Sequence, residues 1–340
     1  MEARTARGNL KVTYRVYVTS NEVPEKALEI MRKVAEVRVN DKYGTPAREV
    51  LLREVADVDG LYCNITEKID SELLAAGKRL KIVASMSVGF DHIDLDEATR
   101  RGILATHTPG VLTEAVADET FGLMLAIARR LVEADQYVRD GSWKLKWSPM
   151  LLVGRDVYGK TLGIYGLGRI GIAVARRAKG FGMKVIYYDA IRNEEAERAL
   201  GIEFRPKDRV IRESDFLSVH VPLTPETRNS ISTQEFKMMK NTAYVINTAR
   251  GGVVDEKALI EALRAGTIAG AALDVFEREP VESDNPLLKM KNVVLAPHLA
   301  SGSIESRTAM AVLAANNLVA GLSGQTPPNL INRQVLQRRG

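Results

Sequence analysis

The sequence predicts an α/β protein made of two doubly wound parallel-sheet domains, one inserted in the other. Three observations carry this reading. The chain has 340 residues, more than one average hydrophobic core organises, so two domains are expected. Short β-rich runs alternate with amphipathic helical stretches, the pattern of parallel strands joined by helical crossovers. One glycine-rich turn, Gly166-Leu167-Gly168-Arg169-Ile170-Gly171, stands directly between an apolar run and a helical pattern.

Composition narrows the function classes. The chain is 45% hydrophobic and 27% charged, ordinary for a soluble globular protein. No continuous apolar stretch is long enough to span a bilayer, so no membrane association is expected. The opening segment MEARTARGNLK lacks the apolar centre of a secretion signal. A single cysteine, Cys63, leaves no internal disulfide framework and fits a reducing, cytoplasmic setting. It lies in the strand-like run GLYCNI, which predicts a buried, inert thiol. The net charge of +5 comes from cations dispersed among acids, a solvated surface rather than a nucleic-acid face.

Taken in order, the first candidate strands are YRVYVTS (14–20), AEVRVN (35–40), GLYCNI (60–65), KIVASMSV (81–88) and ILATHT (103–108). One long helix is expected over 113–141, with apolar residues on too many sides for a single stripe. Such a helix is buried or meets a partner subunit. The stretch 142–160 reads as an irregular loop with aromatic anchors. Six more strands follow: TLGIYG (161–166), KVIYYD (184–189), DFLSVHVP (215–222), AYVINTA (243–249), IAGAALDV (268–275) and NVVLAPH (292–298). Six strands with helices between them match a doubly wound nucleotide-binding sheet. A last helix over 303–324 has no seventh strand to cover and is expected to return to the first domain. The first domain would then comprise residues 1–110 and 299–340, with 111–298 inserted.

The glycine turn has the strand–turn–helix setting that makes the motif informative. Gly166 permits the tight turn, Gly168 lets backbone approach a pyrophosphate, and Gly171 lets helix pack on strand. The N–H groups at the helix start face the phosphate charge. Asp189 closes the next strand, VIYYD, where a carboxylate can accept from the adenosine ribose hydroxyls. It would repel a 2′-phosphate, which favours NAD(H). Arg192 nearby works against that preference and keeps NADP(H) open.

Ligands of doubly wound sheets sit beyond the carboxyl ends of the strands, and three informative side chains fall there. Arg250 follows YVINTA, Glu279 lies in LDVFEREP, and His298 ends NVVLAPH. Reducing a 2-oxo acid needs a cation for the carboxylate and an acid for the carbonyl oxygen. Arginine offers a bidentate fork. Histidine transfers protons near neutrality, and a neighbouring carboxylate orients and charges it.

The segments GKTLGIYGLGRIG, VINTARGGVVDEKAL, GAALDVFEREP and NVVLAPHLAS together resemble the D-isomer-specific 2-hydroxyacid dehydrogenases, over nearly the whole chain. The resemblance implies a flavodoxin-like substrate domain, an inserted Rossmann NAD-binding domain, and a homodimer formed through 113–150. It implies that Arg250 binds substrate, that His298 is the general acid/base and that Glu279 is its partner. Cofactor contacts are implied for Thr113, Gly166, Gly168, Arg169, Ile170, Gly171, Asp189, Pro222, Thr248, Ala249, Arg250, Asp274, His298 and Ala300. Asp274 would hold the nicotinamide amide. Substrate contacts are implied for the N–H groups of Val88 and Gly89 and for Ser301, beside Arg250 and His298. No metal is expected. Asp91 and His92, in SMSVGFDHID, read as turn and helix-start residues.

Within the family, SMSVGFDHID, the two tryptophans of GSWKLKWSP and LAANNLVAGLSGQTPP are most similar to glyoxylate/hydroxypyruvate reductases. The implied activity is NADH-dependent reduction of a small 2-oxo acid to the D-2-hydroxy acid. Trp143 or Trp147 would either wall the substrate pocket or pack within its loop. Two departures stand out: Leu299 and Ala300 follow the histidine where the family carries Ile-Gly, and Asp189 replaces the Arg or Ser of several glyoxylate reductases. Two alternatives remain, a different 2-oxo acid such as pyruvate or 2-ketogluconate, and a non-catalytic NAD-sensing binding protein.

Overall fold

Five short apolar runs of the N-terminal third pair in parallel in a computed structural model, which describes residues 14–338. The opening segment, where no secretion signal is expected, lies outside the described residues. The strands are β1 (Tyr14–Val18), β2 (Ala35–Val39), β3 (Gly60–Cys63), β4 (Ile82–Ser85) and β5 (Leu104–Thr106). Their order in the sheet is β2-β1-β3-β4-β5. Side chains alternate across a strand, so Val16 and Val18 enter one core and Tyr17 the other. On the first face lie the helix Glu25–Arg32 and the last helix, Ile304–Leu322, which brings Ala311, Ala314, Ala315 and Leu318. On the second lie Leu51 and Val55, Leu73 and Leu74, and Ala98, from three short helices. Both faces are covered, which is why these strands are apolar runs and not polar–apolar alternations. Cys63 is buried there, and burial pushes its thiol well above the usual range.

Among the described residues the chain divides into two units, residues 14–112 with 303–338, and residues 113–302. The changeovers come a few residues beyond the boundaries expected from sequence. A feature of the first unit that the sequence does not announce is Asn332. Its side chain takes the N–H of Ala105 (2.9 Å) and donates to the Ile103 carbonyl (2.9 Å), tying the C-terminal segment to β5.

The second unit holds β6 (Thr161–Tyr165), β7 (Lys184–Tyr188), β8 (Glu203–Phe204), β9 (Phe216–Val219), β10 (Tyr244–Asn247), β11 (Gly270–Leu273) and β12 (Val293–Leu295). All are parallel, in the order β12-β11-β10-β9-β6-β7-β8. The sheet therefore has seven strands, not the six expected. The extra one, β8, is a two-residue edge strand, too short to show a period. The chain runs outward from β6 to β8 and then crosses back to β9, so the order reverses between β6 and β9. In such sheets that reversal opens the ligand crevice.

The single helix expected over 113–141 is two. Helix Thr113–Ala128 ends, Arg130 takes a left-handed conformation (φ 54°), and a second helix runs Leu131–Arg139. The first half is buried through Phe121, Met124 and Ile127, packed against Ala173 and Val174 of the helix Arg169–Gly180. The second half buries nothing, and Leu131, Val132 and Val138 are exposed. The tryptophans of the following loop do not anchor it: Trp143 is 54% and Trp147 78% exposed. Among the described residues, no helix is long and apolar enough to cross a membrane.

Candidate active site

The glycine turn sits at the order reversal. Gly166 has φ 100°, a conformation that suits glycine, and it presses on β9's exit: a Cβ there would lie 2.7 Å from the Val221 nitrogen. Gly171, inside the helix Arg169–Gly180, approaches the same turn so closely that a Cβ would fall 2.3 Å from the Gly166 carbonyl oxygen. Helix and strand thus close over the turn. Gly168 is different. It caps the helix and is exposed, and a Cβ there would meet no atom within 4 Å. The bare helix start therefore faces open space that a side chain would fill. Exposed N–H groups, a helix dipole and room for an anion fit the pyrophosphate of a dinucleotide.

Asp189, just past β7, is half-buried. Its Oδ2 accepts from the Leu167 N–H (2.6 Å) and its Oδ1 from the Ile191 N–H (3.3 Å). The carboxylate is thereby fixed against the glycine turn, with lone pairs left for hydroxyl donors. Arg192, which the sequence offers as a counter-charge to a 2′-phosphate, is committed elsewhere. Both its Nε and a terminal nitrogen donate to Glu197 at 2.8 Å. The arginine and the Tyr187 hydroxyl hold the Glu197 carboxyl down at about 2.

At the end of β10, Asn247 organises the turn that carries Arg250. Its Oδ1 accepts from the Ala249 N–H and its Nδ2 donates to the Arg250 carbonyl, both at 3.0 Å. Gly251 then passes so close to the next segment that a Cβ would lie 1.9 Å from the Phe276 backbone. Only glycine lets the arginine turn lie against the segment bearing Glu279. The Thr248 hydroxyl is buried and donates to Thr120 (2.9 Å), since Thr120 spends its own proton on the Val116 carbonyl.

His298 follows β12, and its Nδ1 lies 2.7 Å from Glu279 Oε2. The other carboxylate oxygen of Glu279 accepts from the Phe276 N–H (3.0 Å). Burial pushes this carboxyl up, but His298, the Phe276 N–H and the charge of Arg250 outweigh it and hold it below its ordinary value. Glu279 is thus an anion throughout the neutral range. The His298 backbone is left-handed (φ 55°), and Asp274 maintains it. The Asp274 carbonyl accepts from the His298 N–H (2.8 Å), and its carboxylate oxygens accept from the Leu299 and Ala300 N–H groups (2.6 and 2.8 Å). Three consecutive backbone donors converge on one buried aspartate. Burial raises the Asp274 carboxyl above its usual value despite those amide bonds.

The second unit therefore brings Arg250, Glu279 and His298 to the carboxyl ends of neighbouring strands β10, β11 and β12. It also contains Thr113, Arg169, Ile170, Pro222 and Ser301, which are exposed or half-buried. Val88 and Gly89 belong to the first unit, in the loop after β4. Asn247 and Thr120 were not singled out from the sequence. An asparagine closing an otherwise apolar strand before Thr-Ala-Arg was the available signal for the first; Thr120, inside a helical pattern, had none.

The sequence model of the D-isomer specific 2-hydroxyacid dehydrogenase NAD binding domain matches residues 121–300, more than half the chain. The chain belongs to this family. The glyoxylate reductase of Korarchaeum cryptofilum is 53% identical over 325 residues, covering 96% of this chain and 98% of that protein. A crystal structure of a Thermus thermophilus protein superposes with a TM-score of 0.87 at 44% identity, covering 93% of this chain and 99% of that one. The NADPH-dependent glyoxylate/hydroxypyruvate reductase of Sinorhizobium meliloti, solved with NADP and malonate, gives 0.81 at 35% identity, covering 94% and 97%. The second unit is accordingly this family's NAD-binding domain, and the protein is an oxidoreductase.

Proposed function

We propose that the protein reduces glyoxylate or hydroxypyruvate to the D-2-hydroxy acid with NADH, and that His298 is the general acid. The observation that carries this is the 2.7 Å contact between His298 Nδ1 and Glu279, in a chain half identical to glyoxylate reductases. A carboxylate at Nδ1 accepts a hydrogen bond from that N–H and leaves Nε2 to present the proton that is given away. The Glu279 charge stabilises the imidazolium that must exist before the transfer. Arg250 holds the substrate carboxylate and polarises the carbonyl, with the Val88 and Gly89 N–H groups as further donors to the carboxylate and Ser301 beside the substrate hydroxyl. The bound dinucleotide supplies the hydride.

For the cofactor, the pyrophosphate is held by Gly168, Arg169 and Ile170, the adenosine ribose by Asp189, and the nicotinamide end by Thr248, Ala249, Asp274 and Ala300, with Thr113 and Pro222 flanking. Asp189 disfavours a 2′-phosphate, and Arg192 is neutralised by Glu197. On both counts NADH is preferred, unlike the Sinorhizobium relative. The working unit is a homodimer through 113–150, where Leu131, Val132, Val138, Trp143, Leu145 and Trp147 are exposed on the single chain and would be covered by a second copy. With its one cysteine buried, the enzyme suits a reducing compartment such as the cytoplasm.

The test is a matrix of NADH or NADPH oxidation with glyoxylate, hydroxypyruvate, pyruvate and 2-ketogluconate. Fastest turnover of NADH with either of the first two substrates is expected. A strong preference for pyruvate or 2-ketogluconate would replace the substrate, and inactivity with all four despite NADH binding would replace the enzyme by a sensor.

A further inference from the structure

We propose that His107 is a positioning residue for the loop that presents the Val88 and Gly89 N–H groups; the inference rests on the reading of that loop as the receiver of the substrate carboxylate. After β4 the chain makes three successive peptide groups whose carbonyls are all tied down. The Ser87 carbonyl accepts from the Thr108 N–H (2.7 Å) and hydroxyl (3.0 Å). The Val88 carbonyl accepts from His107 Nδ1 (2.9 Å), and the Gly89 carbonyl from the Ser87 hydroxyl (2.6 Å). These peptides are trans, so each N–H points opposite to the preceding carbonyl. Pinning the carbonyls of Ser87, Val88 and Gly89 turns the N–H groups of Val88, Gly89 and Phe90 the other way. Each N–H is thus fixed through its own peptide, and neighbouring backbone N–H groups held in place can receive an anion.

Of the three pins, the first is shared by the backbone and hydroxyl of Thr108 and the third comes from within the loop, whereas the middle one rests on a single side chain reaching in from outside. A carbonyl can only accept, so Nδ1 of His107 carries the proton. The ring is held for this task. The His107 carbonyl accepts from Asn317 Nδ2 on the last helix (3.0 Å), its N–H donates to the Asn329 carbonyl (3.3 Å), and the ring meets Phe90 edge-on at 5.7 Å. The third pin has a backing of its own. Because the Ser87 hydroxyl gives its proton to Gly89, it must accept from Ser85 (2.7 Å), and Ser85 in turn accepts from His92 Nε2 (3.1 Å). His92, read from sequence as a helix-start residue, thus ends a proton-ordered relay into the same loop. His107 acts on the peptide between Val88 and Gly89 directly. Without it, that peptide can rotate and the Gly89 N–H leaves the substrate.

The variants are His107→Ala, which removes the donor, and His107→Asn, whose amide nitrogen is as many bonds from Cα as Nδ1. We expect His107→Ala to raise KM for glyoxylate and the inhibition constant of oxalate together, by about tenfold, the worth of one hydrogen bond to a charged group. NADH affinity should not move. His107→Asn should recover most of both losses. Amide hydrogen exchange over residues 86–90, which needs no substrate, should quicken in His107→Ala and slow again in His107→Asn. Equal constants and equal exchange in the unaltered protein and His107→Ala would overturn the positioning role, as would an Asn variant no better than Ala. Failure of the proposed reaction has another signature: the unaltered protein turns over no 2-oxo acid, while the exchange comparison still decides the role of His107.

Discussion

The imidazole Nδ1 of His298 lies 2.7 Å from Oε2 of Glu279, and the glutamate's other oxygen is anchored by the Phe276 N–H. The pair is therefore aimed by backbone on the side away from Nε2. Because the Glu279 carboxyl is held below its usual range, its charge persists through the neutral range. Glu279→Gln keeps the shape and removes the charge. Reduction should fall by about 10–100-fold in kcat. NADH affinity should stay constant. An unchanged kcat would mean that the charge of Glu279 plays no part in the proton transfer.

The proposed preference for NADH rests on a second pair. Asp189 is fixed to the glycine turn through Leu167, so its charge cannot swing away from a 2′-phosphate. In Asp189→Ser, the dissociation constant of NADPH should fall by about tenfold, as a close like-charge contact disappears. Glu197→Gln alone should help NADPH only a few-fold, since an ion pair this open to solvent is screened and contributes little. The double variant should exceed either single one. Titration of each protein with NADH and NADPH checks this, and NADPH affinity unmoved by Asp189→Ser would remove Asp189 as the discriminator.

Acid stability has an identifiable contributor in the first unit. Asp59 is 2% exposed and accepts from the Arg15 N–H (3.0 Å) and from Arg79 (3.2 Å), with Lys81 Nζ at 3.3 Å. Burial pushes its carboxyl up, but these donors prevail and hold it below its ordinary value. A depressed carboxyl stabilises the fold above its unfolded pKa of about 3.9 and loses that contribution as pH falls through the folded value. Asp59→Asn should cost about 2 kcal/mol at neutral pH, discounted for the exposed partners. Below about pH 4 its unfolding free energy should converge on that of the unaltered protein. Curves that stay parallel through that acid range would assign the acid sensitivity to other groups.

Much of this architecture is legible in the sequence because its elements are long enough to show a period. The runs around Val16, Ile82, Ile164 and Ile246 are buried on both faces, so they read as continuous apolar segments. The glycine turn, Arg250, Glu279 and His298 stand out because chemistry-bearing residues end those runs. What stayed hidden is tertiary. The strand Glu203–Phe204 has two residues, and no periodicity exists at that length. The break at Arg130 carries neither Gly nor Pro, so local rules continue the helix through it. The exposure of Trp143 and Trp147 runs against the expectation that tryptophan anchors a loop. Nor does any pattern show that Asn247 shapes the Arg250 turn or that Asp274 spends its carboxylate on the chain after His298, because those are contacts between distant segments.

Asp274 offers the sharpest separation between holding a cofactor and holding a catalytic backbone. Its carboxylate receives the N–H groups of Leu299 and Ala300, and its carbonyl that of His298, a residue kept at φ 55°. A non-glycine residue there is strained by about 1 kcal/mol or more, so these bonds are what retain the conformation. Asp274→Asn leaves one acceptor and turns an amide N–H₂ toward a backbone donor. The buried mismatch should cost about 1–3 kcal/mol of stability, visible as a lower urea midpoint. If the carboxylate mainly fixes the His298 backbone, kcat should fall much more than NADH affinity. If it mainly grips the nicotinamide amide, NADH affinity should fall first, with kcat at saturating NADH largely kept. Measuring kcat and the NADH dissociation constant on the same variant separates the two, because the backbone bonds are made by the protein alone and do not depend on cofactor occupancy.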